Sequence, residues 1–332
     1  MRWLVALVLL LGCSAGPRQQ VAPPSGEPAA GGESPASPVR EAAATEPVHD
    51  AVASQCARGD ARIELSHLYV DIEVRILRAV GIPINGESGG FDRTWVRCDE
   101  LASITSLEFG VVPSLRDLPP MPALAALTVV DVEDGDVSPL RAFPHLARLV
   151  LGPPEYEFVI DRRTSVRDLD PIGDLSELTE LYLLNGSVED IGFVRRLRAL
   201  RVLDLRENRV HDIEPLRELP ALENLRIGSN QVVDLSPLTG LDQLQQLDIS
   251  SNPVATLEPL AHAPALAGIL AQNTRITDLS ALGTMPSLQS IFLCGAPVTE
   301  DRALNRAAEP ERRRLEQRHV RVMINFRGCH CC

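Results

Sequence analysis

One pattern constrains this chain more than any other: a 22-residue unit that begins at Leu200 and begins again at Leu222 and at Leu244. The unit reads Leu-Arg-Val-Leu-Asp-Leu-Arg-Glu-Asn-Arg-Val-His-Asp-Ile-Glu-Pro-Leu-Arg-Glu-Leu-Pro-Ala. Counting Leu200 as position 1, apolar residues fall at 1, 4, 6, 11, 14, 17 and 20: Leu200, Leu203, Leu205, Val210, Ile213, Leu216 and Leu219. The alternation Leu203-Asp204-Leu205 has the period of a half-buried strand but is too short to stand alone. Asn208 follows at position 9, with Asn230 and Asn252 at the same phase. An amide there can bond the backbone of its own turn and of the neighbouring coil, which predicts a stack of asparagines. In the second half, Asp212 precedes Pro215 and Leu216, a spacing repeated as Asp168 with Pro171, Asp234 with Pro237 and, without the proline, Asp278. Aspartate caps the free N–H groups of a short helical or 3₁₀ turn, and proline is tolerated in a first turn. A strand, a turn and a short helical segment cannot bury their apolar edge alone; stacked copies can.

These residues resemble the leucine-rich repeat, L-x-x-L-x-L-x-x-N-x-I-x-D-I-x-P-L-x-x-L. The length of the unit and the D-I-x-P-L segment are most similar to the internalin-type and phosphatase-regulator-type repeats. The resemblance implies an α/β solenoid: a leucine-rich repeat horseshoe with a parallel concave sheet, a helical N-cap and a helix-strand C-cap. A chance leucine pattern in a helical protein does not explain a proline recurring at one phase.

The chain opens with Arg2, an apolar run from Trp3 to Leu11, then Gly12-Cys13. The run is too short to span a bilayer and fits a secretory signal. Leu10-Leu11-Gly12-Cys13 resembles a bacterial lipobox, which implies residues 1–12 as signal peptide, lipidation of Cys13 and, with Ser14 next, an outer-membrane anchor. Residues 13–55 are rich in Pro, Ala, Gly, Ser and Glu and read as the lipidated cysteine followed by a disordered tether.

Residues 56–103 read as an N-terminal cap. Leu68, Ile72, Ile76, Leu77 and Val80 have helical spacing, and Gly81-Ile82-Pro83 stops the helix. About nine repeats follow over residues 104–299. The unit starting at Leu146 is overlong by a segment near 153–164, which contains Tyr156, Phe158 and Arg162, possible loop contacts for a partner. A surface loop whose aromatics pack locally is the plainer reading. Residues 300–332 read as a C-terminal cap: a helix from Asp301 to Arg318 interrupted or restarted at Pro310, a strand from Val320 to Phe326, and a Cys-rich tail.

Of the 7 cysteines, lipidation of Cys13 leaves an even number in an exported chain, as a disulfide framework requires. Cys56 and Cys98 bracket the N-cap and are expected to pair. Cys294 lies just past the last repeat strand and Cys329 just past the capping strand, so parallel neighbours bring them within reach. Cys331 and Cys332 remain as a vicinal pair, free thiols or partners in another connectivity. A metal cluster of Cys329, His330, Cys331 and Cys332 is disfavoured, because four ligands so close in sequence are hard to arrange tetrahedrally.

Strands of successive repeats place positions 3, 5 and 7 on the concave face. Position 5 runs Glu108, Thr128, Val150, Tyr182, Asp204, Arg226, Asp248, Leu270, Phe292, and position 7 adds Leu184, Arg206, Gly228, Ser250 and Gln272. The row has a charged middle and an apolar C-terminal end. Leucine-rich repeats commonly bind proteins on this surface, so the resemblance implies a partner-binding stripe of Tyr182, Asp204, Arg206, Arg226, Asp248, Leu270 and Phe292. The competing reading is that Asp204, Arg226 and Asp248 merely pair across neighbouring strands.

The formal net charge of −13 argues against wholesale nucleic-acid binding. No Gly-rich phosphate loop, H-E-x-x-H or G-x-S-x-G is present. The acidic run from Asp131 to Asp136 lacks the calcium-loop pattern. The expectation is therefore a cell-envelope lipoprotein that binds a protein or other envelope partner, with no catalytic role and no cofactor. The alternatives are an intracellular scaffold similar to the phosphatase-regulating repeat proteins, and a redox or metal-binding protein using the C-terminal cysteines.

Overall fold

A computed structural model describes residues 48–57, 62–66, 68, 70–82, 84–85, 90–91, 93–153, 166, 168–184 and 186–323, all within one compact unit, Glu46–Ile324. Cys13, the loop residues Tyr156, Phe158 and Arg162, and Cys329 through Cys332 lie outside the described residues.

The repeat builds a single sheet. Ten parallel strands stack in chain order: β5 (Ser106–Val112), β6 (Ala126–Val132), β7 (Arg148–Leu151), β8 (Glu180–Leu183), β9 (Val202–Asp204), β10 (Asn224–Arg226), β11 (Gln246–Asp248), β12 (Gly268–Leu270), β13 (Ser290–Phe292) and β14 (Arg321–Met323). Each strand pairs with the next at the same repeat phase: Leu203 faces Leu225, which faces Leu247, Ile269 and Ile291 in turn. A slip by one residue would turn every leucine out of the core, so the apolar pattern fixes the register.

The core is a column of leucines. All seven apolar residues of the unit starting at Leu200 are 0–1% exposed. Beyond each strand the chain crosses to the opposite side through a 3₁₀ turn, as at Ser138–Ala142, Asp170–Asp174, Glu214–Glu218 and Ser280–Thr284. The expected caps are present. Asp212 Oδ1 accepts from the Glu214 amide at 2.9 Å, Asp234 from Ser236 at 2.8 Å and Asp278 from Ser280 at 3.0 Å. The same device operates where the sequence pattern was not singled out, at Asp136, Asp190 and Thr256.

The asparagines are spent on backbone. Asn230 Nδ2 donates to the carbonyls of Leu205 (2.8 Å) and Ile227 (3.0 Å), and its Oδ1 accepts from the Val210 amide (2.9 Å). Asn208 and Asn252 repeat the arrangement one copy either side. Adjacent copies are thus stitched through the expected amide-to-backbone bonds, with Asn208, Asn230 and Asn252 repeating at one phase. The ladder thins at Thr274, whose hydroxyl reaches the Ala271 carbonyl, and the next position is Ala296.

Position 8, just before each asparagine, is left-handed: Glu207 (φ 60°), Ser229 (57°), Ser251 (56°), Asn273 (52°) and then Gly295 (76°). The turn needs this conformation to aim the next side chain inward. Four copies adopt it without glycine, which is costly for ordinary residues.

The N-terminal cap is α1 (Val48–Ala57), β1 (Ile63–Glu64), α2 (Val70–Ala79), β2 (Ile84–Asn85), β3 (Gly90–Phe91), β4 (Trp95–Val96) and α3 (Cys98–Ala102). Helix α1 begins inside the segment read as tether; Val52 is 3% exposed and Cys56 packs against the core, which gives this short stretch a reason to order. Helix α2 buries Ile72, Ile76 and Leu77, matching the expected helix. Cys56 and Cys98 form the expected disulfide, with Cα atoms 5.7 Å apart. Trp95 is clasped between Arg62 and Arg93, each 4.4 Å from the ring centroid.

The C-terminal cap comprises α4 (Pro297–Glu300), α5 (Arg302–Gln317) and β14. Asp301 caps α5, accepting from Ala303 (2.7 Å) and Leu304 (3.0 Å). Helix α5 continues through Pro310 where an interruption was expected. The residue four before Pro310 is Arg306, whose carbonyl the proline ring leaves without its helical donor; both residues are exposed on this surface helix. Arg318 fastens the cap to the last repeat by donating to the carbonyls of Gly283 (2.8 Å) and Met285 (2.5 Å). No helix among the described residues is long and apolar enough to cross a membrane.

Candidate binding surface on the concave sheet

The position-5 residues form one unbroken row. Glu108, Thr128, Val150, Tyr182, Asp204, Arg226, Asp248, Leu270 and Phe292 are partners in register, strand by strand. Met323 on β14 extends the row by one more apolar residue. The alternation after Val320 signals this strand as a cap, but not its place in the position-5 row.

Burial along the row is uneven. Val150 is 7% and Leu184 9% exposed, so they belong to the core's margin. Asp204, expected to meet a partner, is 0% exposed. Arg206 covers it: Nε lies 2.9 Å from Oδ1 and Nη2 2.8 Å from Oδ2. Arg226 approaches from the next strand, with Nη1 3.6 Å from Oδ2. A buried carboxylate persists only when it is paired and hydrogen-bonded, and the planar guanidinium suits that pairing. The expected cross-strand pairing is therefore real for Asp204, and its main partner is on its own strand's extension. The side chains of Arg206 and Arg226 remain 30% and 34% exposed. Asp248 accepts from the Ser250 amide at 2.9 Å.

Tyr182 sits in a local cluster. Its hydroxyl donates to Glu180 at 3.2 Å and accepts from Arg148 at 3.3 Å, and the Arg148 guanidinium lies 4.6 Å from the ring centroid. Arg148 and Glu180 are also paired directly. Burial, aided by the Glu180 carboxylate, pushes the phenol above its ordinary value, so Tyr182 stays a neutral hydrogen-bonding surface.

The C-terminal end is apolar. Leu270 is 38% exposed; Val70 and Val233, the other large apolar side chains prominent at the surface among the described residues, lie off the sheet. Phe292 and Met323 beside it are half-buried. Two glycines keep the floor low. A β-carbon at Gly228 would sit 3.2 Å from an Asp248 carboxylate oxygen, and one at Gly268 would strike the Gln246 amide. Neither glycine carried a distinctive sequence signal beyond its phase. Cys294, at position 7 of the last repeat and just past β13, is buried; its expected partner Cys329 lies outside the described residues. No three His, Cys, Asp or Glu side chains converge as a metal site among the described residues.

A sequence model of leucine-rich repeats in two tandem copies matches residues 198–240 and 220–262. Among solved structures, internalin C2 of Listeria monocytogenes has a TM-score of 0.58 and 23% identity, over 70% of this chain and 97% of its own. A second internalin of that organism, inlF, has a TM-score of 0.41 and 20% identity, over 70% of this chain and 84% of its own. No curated protein sequence matches the chain. The ten-stranded parallel sheet and the repeats matched over residues 198–262 define a leucine-rich repeat solenoid fold. Within that class its solenoid is internalin-like, with helices capping the first strand and a helix and strand closing the last.

Proposed function

We propose that the chain is a non-enzymatic binding protein of the bacterial cell envelope that captures a protein partner on its concave face. The observation that carries this reading is the position-5 row: in register across ten strands, with Val150 and Asp204 buried, it sets the partly exposed Arg226 near an apolar end of Leu270, Phe292 and Met323. A structural face needs no such variety, whereas recognition does. Aromatic, arginine and aliphatic side chains at the centre and C-terminal end suit a partner interface. Lipidation at Cys13 would hold the solenoid at a membrane, with residues 14–47 as spacer, and two acyl chains suffice for stable anchoring.

Two measurements test the two halves. Intact mass and membrane partition of the protein made in a Gram-negative host, beside a Cys13→Ser form, test the anchor. A chain shortened by its first twelve residues and carrying acyl mass in membranes supports it. A full-length soluble chain removes it and leaves an intracellular scaffold as the better account. Affinity capture from envelope extracts, with Arg226→Ala and Phe292→Ala as controls, tests the face. Capture unchanged by both substitutions rejects the concave reading.

A further inference from the structure

We infer that the outer face of helix α5 rests on anionic lipid headgroups and lays the C-terminal end of the solenoid against a membrane. The inference needs neither the concave-face reading nor the Cys13 anchor. It starts from the distribution of charge. Residues 301–323 hold seven arginines and four carboxylates (Asp301, Glu309, Glu311 and Glu316), a net of +3 within a chain of net −13. The rest of the chain therefore carries −16. One end of an acidic molecule is basic.

Burial sharpens the separation. Arg302, Arg306 and Arg313 stand at i, i+4 and i+11 on one stripe of the helix, and all are exposed. The side chains of Arg313 and Arg314 are 70% and 75% exposed, whereas their partners Glu309 and Glu311 are 30% and 17% exposed. Glu309 is also shared with Arg312, so one carboxylate answers two guanidiniums. Among the described residues the side chains of Arg302 and Arg306 have no ion pair. The adjacent Asp301 turns its Oδ1 to the first amides of the helix. A surface approaching α5 from solvent meets the cations first.

The character of the face decides its occupant. Between the arginines the exposed positions are Ala303, Ala307, Pro310 and Gln317. Protein interfaces are centred on aromatic and large apolar anchors, with charge at the rim; this face has no such anchor. A helix that sinks into a bilayer needs large apolar residues on its lipid side, and these too are missing from the exposed positions. What the face offers is a row of cations about 16 Å long, from Arg302 to Arg313 at about 1.5 Å per residue, with small side chains between them. A layer of lipid phosphates presents anions continuously along that length. Each guanidinium can pair with two phosphate oxygens at once. The acidic remainder of the chain is repelled by the same layer, so the field turns α5 toward the lipid.

The test uses the full-length chain with Cys13→Ser, so that no acyl group holds it, and measures co-sedimentation with vesicles. One set is phosphatidylcholine; the other contains an equal share of phosphatidylglycerol. Any binding through the apolar N-terminal run is common to both sets and to every variant. Tighter binding to the anionic vesicles is expected, and it should weaken as salt is added. Arg302→Gln, Arg306→Gln and Arg313→Gln together should lose about fivefold per arginine, or about a hundredfold in all. The same three positions changed to lysine should keep most of the binding. Arg141→Gln, Arg198→Gln and Arg217→Gln alter the net charge equally on the array itself and should lose little. Each variant is melted to confirm its fold. Equal binding to the two vesicle sets, or equal losses from the two glutamine triples, overturns the inference. Loss of an acidic protein partner from the α5 triple, with vesicle binding unchanged, also overturns it and gives the face to a protein. Arg226 and Phe292 are intact throughout, so capture on the concave face stands or falls separately.

Discussion

Single residues in this fold carry more than their own contacts, because each one is repeated or serves two copies. Asn230 satisfies one amide and two carbonyls from three segments of the coil. Asn230→Ala should orphan the Val210 amide in a dry interior, while the Leu205 and Ile227 carbonyls keep the side-chain amides of Asn208 and Asn252, and should lower stability by about 1–3 kcal/mol; urea unfolding with unchanged slope would confirm it. The left-handed residue before it gives a finer test. Ser229→Val should cost about 1–3 kcal/mol, while Ser229→Asn should be close to neutral, because asparagine tolerates that conformation. Equal melting temperatures for the two would contradict the backbone account. At the concave centre, Arg206→Ala should be worse than Asp204 and Arg206 replaced together by apolar residues. The single change strands a buried carboxylate at a cost of about 3–5 kcal/mol; the double change removes the charge altogether.

At the scale of elements, the apolar phase and the asparagine and aspartate positions were readable from the chain because each obeys a local rule repeated many times. The strand register and the 3₁₀ turns followed from that rule, and helix α2 from the helical spacing of its own apolar residues. Helix α1 was not readable: its composition resembles the tether before it, and it orders through the burial of Val52 and the packing of Cys56. Nor was the continuity of α5 across Pro310, where the usual rule breaks a helix. The concave row was legible as a list but not as a surface. Period-two alternation places Asp204 outward, and only the cross-strand approach of Arg226 and the return of Arg206 show that it is covered. The turns carry a pH dependence. Hydrogen bonds from the Ser236 and Ser280 hydroxyls and amides hold the Asp234 and Asp278 carboxyls below the ordinary carboxylate range. Groups depressed in the folded state stabilise it above their unfolded value, near about 3.9, and that stability is lost as pH falls through the folded value. The melting temperature should therefore drop below about pH 4. Asp234→Asn with Asp278→Asn keeps a capping oxygen and should flatten the drop; an unchanged profile would assign it to other carboxylates.

The whole molecule is a stack whose ends are its weak points. A repeat array exposes a paired-strand template at each end unless something covers it. The N-terminal cover is stapled by Cys56–Cys98 across a sequence separation of 42. Reducing it should destabilise the cap by about 2–4 kcal/mol, seen as earlier hydrogen exchange in α1 to α3 than in β9 to β11. Uniform exchange would mean that the cap and the array unfold as one. At the other end, truncation after Thr299 strips α5 and β14 from β13 and should produce aggregation.

The constant register between copies also makes the array a ruler with a fixed graduation. Arg226 and Phe292 stand three copies apart, so the distance between them is written in the number of units that separate them, not in the shape of any side chain. In-frame loss of residues 244–265 would shorten that span by one graduation, about 4.8 Å, and leave every remaining neighbour with a suitable neighbour. Loss of half a unit would place strand against turn. Whole units can thus be lost or gained in steps that keep the stack intact, so the spacing along the position-5 row changes only in fixed increments.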